Sequence, residues 1–88
     1  MRKGEAKLAL AIGIRNAIVM DHPEKIHLDK VVETMNEKRI TRAMLKATIR
    51  SGNAGFIMKD DPDGTKTEAM KAKVFDWIDK NISKDVGR

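Results

Sequence analysis

The stretch HLDKVVETMNEKRITRAMLKATIR, residues 27–50, decides how this 88-residue chain is read. Leu28, Val31, Val32 and Met35 recur at i, i+3, i+4 and i+7, which predicts an amphipathic helix of about ten residues. Asn36 to Arg39 makes the turn out of it. Thr41 then stands as a natural N-cap for a second helix. Ile40 before the cap and Leu45 in the fourth helical position can form a hydrophobic staple. Met44, Leu45, Thr48 and Ile49 supply the inner face of that helix, and Ser51-Gly52 a left-handed stop. Two short helices joined by a tight turn form a helix-turn-helix unit over about residues 27–51.

The same stretch is electrically one-sided. Lys38, Arg39, Arg42, Lys46, Arg50 and Lys59 follow one another with no acid between Lys38 and Lys59. The chain holds 18 Lys and Arg against 13 Asp and Glu, so the rest of it carries 12 basic and 13 acidic residues. The formal net charge of +5 therefore sits in this quarter of the sequence. Spacing of three or four residues lines Arg42, Lys46 and Arg50 along one helix face. A basic stripe on a neutral body is the electrostatic footprint of phosphate binding. A merely solvated helix usually mixes signs, as the last helix does with Glu68, Lys71, Lys73, Asp76, Asp79 and Lys80.

Working outward, residues 5–21 read as a helix apolar over most of its circumference. Leu8, Ala11, Ile12, Ile18 and Val19 share a face that Leu10 and Ile14 widen. His22-Pro23 stops it, and Lys25-Ile26-His27 is a short extended candidate. After the basic stretch, residues 55–59 are a strand candidate and Asp60-Asp61-Pro62-Asp63-Gly64 a turn. Thr65 to Glu68 has capping-box spacing for a last helix over about 66–82, with Met70, Val74, Trp77 and Ile78 inward. From Ser83 onward the chain is expected to fray. The expected architecture is α+β but mostly α, one domain over residues 1–88 with four helices and a minor β element.

At the level of pattern, residues 8–66 resemble the winged helix superfamily, with the helix-turn-helix at 27–51 and the wing at 54–66. In that family the second helix of the unit enters the major groove and the wing touches the DNA backbone. The resemblance implies base contacts for Arg42, Lys46 and their neighbours, and a phosphate contact for Lys59. The candidate nucleic-acid site is then Lys38, Arg39, Thr41, Arg42, Lys46, Arg50 and Lys59.

Composition narrows the classes. Cysteine is absent, which removes disulfides and thiolate metal sites and fits a reducing, cytoplasmic setting, at the nucleoid if the ligand is DNA. The longest apolar run, Leu8 to Ile14, is about seven residues against the roughly twenty of a spanning helix, so no membrane partner is expected. His22 and His27 flank a proline without a shared face, and the Asp60–Gly64 turn lacks the twelfth-position glutamate of a calcium loop. No nucleotide-binding glycine loop or nucleophile elbow occurs. Neither a cofactor, a metal nor catalysis is expected. With two Phe, one Trp and no Tyr, single-strand stacking has little to work with, so duplex DNA is the favoured ligand. The same stripe could dock on an acidic protein as a small phage-type regulatory module, or on structured RNA. A homodimer would double the contacts, with the first helix as its seam.

Overall fold

The structure, a computed structural model, describes residues 2–51 and 60–88. Helix α1 (Lys3–Val19) is central, as a helix with apolar residues on nearly every side must be. It packs against α2 (Leu28–Lys38), α3 (Arg42–Arg50) and α4 (Thr65–Asn81). Ala6, Ala11 and Ile14 are its buried residues, while Leu8, Leu10, Ile12 and Ile18 lie half-buried around them. Val19, placed inward by periodicity, is instead exposed where the helix runs out. The core closes with Val31 and Met35 of α2, Leu45 and Ile49 of α3, and Val74, Ile78 and Ile82 from α4 and its end.

The turns follow local chemistry. Asp21 takes a left-handed backbone (φ 58°) after α1, and Pro23 then opens a 3-10 turn, Pro23–Lys25. Helix α2 stops at Arg39, also left-handed (φ 57°), and the Ile40 N–H closes back on the Met35 carbonyl at 2.8 Å. The Thr41 hydroxyl accepts from the Met44 N–H at 3.2 Å as the N-cap of α3. Ile40 and Leu45 are both fully buried, so the staple positions read from the sequence reach the core.

The expected α+β class is corrected: the described residues form four α-helices and a short 3-10 turn, and no strand occurs among them. Lys25-Ile26-His27 leaves a 3-10 turn and runs straight into α2, because Pro23 sets helical φ from its first residue. The strand candidate at 55–59 lies outside the described residues. The returning half of the wing does not form, since the chain turns at Asp60–Gly64 and enters α4 at Thr65.

Two further expectations change. The N-cap of α4 is Gly64 in left-handed geometry (φ 78°), not Thr65. Capping comes from upstream: the Asp61 carboxylate accepts from the Lys66 and Thr67 N–H groups at 3.0 and 2.7 Å, and Asp63 accepts from Thr65 N–H at 3.1 Å. A carboxylate held at a helix N-terminus also meets the positive end of the dipole. The segment 83–88, expected to fray, folds back. Val86 is half-buried against the core and Gly87 is buried, its N–H donating to Asn36 Oδ1 at 2.9 Å.

Candidate functional site

Four of the seven candidate residues come together. Thr41, Arg42, Lys46 and Arg50 line one recess of about 390 Å³ along α3, with Ala43 between them. Lys38 ends α2 and Arg39 occupies the left-handed turn, and neither lines the recess. Lys59 lies outside the described residues. The recess is completed by two cations that the sequence reading left out, Lys84 and Arg88. Five cationic residues therefore line a concave surface that, among the described residues, includes no Asp or Glu.

Lys84 and Arg88 arrive there because residues 83–88 turn back toward the start of α3. Gly87 adopts φ 82°, and a Cβ built on it would stand 1.9 Å from the Ile40 carbonyl oxygen. Only a residue without a side chain fits against that carbonyl, and its left-handed backbone favours glycine as well. The sequence did hold a signal: the lone apolar Val86 beside Gly87, after a polar Ser83-Lys84-Asp85, marks a segment with something to bury. The partner of that segment, the end of α2 and the turn after it, is 51 residues away along the chain for the Asn36–Gly87 bond, and spacing cannot reveal it.

The stripe is also less free than a lone helix would leave it. Asp79 of α4 ion-pairs with Lys46 and, at 3.5 Å, with Arg42. The Arg42 guanidinium further donates to the Ile82 carbonyl at 2.9 Å, so it caps the end of α4. Hydrogen bonding from Lys46, helped by the charges of Lys46 and Arg42, holds the Asp79 carboxyl below the usual carboxylate range against a smaller opposing effect of burial. Phe75 lies beneath the other end of the stripe, its ring centre 5.0 Å from the Arg50 guanidinium and 5.9 Å from the Lys46 ammonium. Arg50, Lys84 and Arg88 are exposed and, among the described residues, have no acid partner.

This division assigns chemistry. Arg42 and Lys46 are partly buried and share Asp79 as a neutralising partner. Arg50, Lys84 and Arg88 are exposed, with no acid partner among the described residues. The arrangement suits a multiply charged oxyanion, which accepts hydrogen bonds from several cations at once. It offers no general base or nucleophile. Elsewhere, His22 pairs with Glu24 at 2.9 Å on the surface, and among the described residues no three His, Cys, Asp or Glu meet as a metal site would require. Among the described residues no helix is long and apolar enough to cross a membrane. No protein-family model, curated protein or solved structure matches this chain.

Proposed function

We propose that this protein binds duplex DNA without catalysis, seating backbone phosphates in the recess between α3 and the segment 83–88. One observation carries the reading: Arg42, Lys46, Arg50, Lys84 and Arg88 line a single concave surface with no Asp or Glu among the lining residues described. Phosphate oxygens spaced along a nucleic-acid backbone complement such a surface, and release of condensed counterions drives the association. Two features favour a duplex over a single strand. Phe75 and Trp77 are half-buried against the core, so they are not open stacking platforms. Ala43 and Ala47 are exposed on α3 and let its backbone approach a groove wall closely.

The assignment of roles shifts from the family-level expectation. Arg42 and Lys46, tied to Asp79 and the end of α4, serve as phosphate contacts, and base reading falls to Arg50 with the open Ala43–Ala47 side of α3. Binding is thus dominated by the backbone and only weakly selective. A small accessory or architectural factor fits that balance better than a sequence-selective repressor.

The test is fluorescence anisotropy with labelled random duplex, RNA hairpin and single-stranded DNA at several salt concentrations. Wild type should prefer the duplex, with log Kd rising linearly in log salt by about 0.9 for each phosphate engaged. Changing Arg50, Lys84 and Arg88 together to Ser should flatten that slope by about two units, from the phosphate contacts of Lys84 and Arg88, and loss of Arg50 should weaken binding further. The fold should be retained, because all three residues are exposed and, among the described residues, have no acid partner. Absence of duplex binding at low salt would reject the proposal. Tighter binding to the hairpin would transfer the site to RNA.

A further inference from the structure

Deepening the phosphate-seat reading and resting on it, we infer that Gly87 is a positioning residue for the ligand: it locks residues 83–88 onto the α2–α3 turn and so supplies the second wall of the recess. Two contacts make the lock. The Gly87 N–H donates to Asn36 Oδ1 at 2.9 Å, one element back in space from the recess. The glycine also approaches the Ile40 carbonyl so closely that a Cβ would meet its oxygen at 1.9 Å and its carbon at 2.4 Å. Ile40 is the residue before the N-cap of α3, so the lock joins the segment directly to the helix that carries Arg42, Lys46 and Arg50.

Lys84 lies three residues before this contact and Arg88 one after it, which brings both to the recess. The backbone around the lock is braced by two turn bonds, Val86 N–H to the Ser83 carbonyl at 3.1 Å and Arg88 N–H to the Asp85 carbonyl at 3.3 Å. Half-burial of Val86 against the core anchors the segment from the other side. Neither Lys84 nor Arg88 has a partner of its own to hold it there among the described residues. Their presence in the site depends on the backbone between them. The phosphate seat is therefore composite: one wall is a helix, and the other is a strap whose geometry one glycine permits.

The experiment is a double-variant comparison on the full chain, read by duplex anisotropy across salt. The variants are Gly87→Ala, the pair Lys84→Ser with Arg88→Ser, and all three together. Gly87→Ala should flatten the salt slope by about two units, matching loss of two phosphate contacts, and weaken binding on the order of 10- to 60-fold at 0.1 M salt. Adding Gly87→Ala to the Lys84 and Arg88 pair should change nothing further, because the lock acts only through those two side chains. A merely structural glycine would lower melting temperature and leave the salt slope alone. Should Gly87→Ala fail to fold, Asn36→Ala decides instead. It removes one of the two lock contacts at an exposed site and should flatten the slope part of the way. Wild-type slope and affinity in a folded Gly87→Ala or Asn36→Ala variant would overturn the inference. If the Lys84 and Arg88 pair has no effect while Arg50→Ser weakens binding, the strap is irrelevant and the phosphate seat on α3 stands. Failure of wild type to bind any duplex overturns both.

Discussion

Leu45 is fully buried in the middle of α3, and one residue on, the Lys46 ammonium reaches Asp79 across the α3–α4 seam. Removing the Leu45 side chain leaves a cavity in the core it shares with Ile40, Ile49, Val74 and Ile78, so Leu45→Ala should cost about 2–5 kcal/mol. Lys46→Ala loses an ion pair with a partner whose side chain is 44 % exposed, and should cost less than about 1 kcal/mol. Met44→Ala belongs with the second change, since Met44 is exposed. Chemical denaturation of the three variants ranks them, and a Met44→Ala cost equal to that of Leu45→Ala would overturn the face assignment. Periodicity had put Met44 and Leu45 together on the inner face. In a helix of nine residues a step of about 100° leaves both inside the apolar arc. The staple from Ile40 to Leu45 is a local constraint and was readable; the exact rotation of α3 is set by α1 and α4 and was not.

At the scale of elements, α4 is held at both ends by carboxylates that face opposite problems. Asp61 gathers the N–H groups of its first turn, and Asp79 answers the cations of α3 near its last. Both carboxyl groups are held below their ordinary range. For Asp61 the cause is the Thr67 side chain first, then the Thr67 and Lys66 backbone N–H groups, with burial opposing. For Asp79 it is the Lys46 hydrogen bond first. A depressed carboxylate stabilises the fold above its unfolded pKa, and that contribution is lost as pH falls through the folded value. Melting temperature should therefore drop below about pH 4, and Asp61→Asn should melt lower than wild type at pH 6. The difference between the two proteins should close as pH approaches about 2. A wild-type melting temperature that holds steady or climbs on acidification would sink this account. The helix itself was legible from the pattern of Met70, Val74, Trp77 and Ile78, of which Val74 and Ile78 are buried and Met70 and Trp77 half-buried, and its start to within a residue of Thr65. Its cap was not, because Thr65 to Glu68 satisfied the capping-box spacing while the actual acceptor reaches over Pro62 from outside the box. Likewise α1 announced itself by apolar content. A helix with no preferred face cannot say which residue ends up outside, and Val19 did.

For the molecule as a whole, the charge imbalance read from the sequence survives folding, but folding redraws its borders. Lys84 and Arg88 join the stripe through the 83–88 segment, while Asp79 intrudes on it from α4. Val86 beside Gly87 hints that the segment buries something, but where it docks, like the reach of Asp79, depends on contacts between residues more than thirty positions apart. Asp79 is thus the acid that acts against the proposed function while supporting the fold. Asp79→Asn removes one negative charge from the edge of the recess and leaves Arg42 its bond to the Ile82 carbonyl. It should tighten binding to random duplex at 0.1 M salt and steepen the salt slope by up to about one unit, as Lys46 meets phosphate without a competing carboxylate. Stability should fall modestly, because a half-exposed ion pair contributes little after solvent screening. The effect on binding is opposite to that expected for Arg50→Ser, which should weaken binding with little change in melting temperature. Anisotropy and thermal melting on the two variants, side by side, separate the cases. Weaker binding by folded Asp79→Asn would mean that Asp79 holds Arg42 and Lys46 in a productive orientation, and that its negative charge does not compete with the ligand.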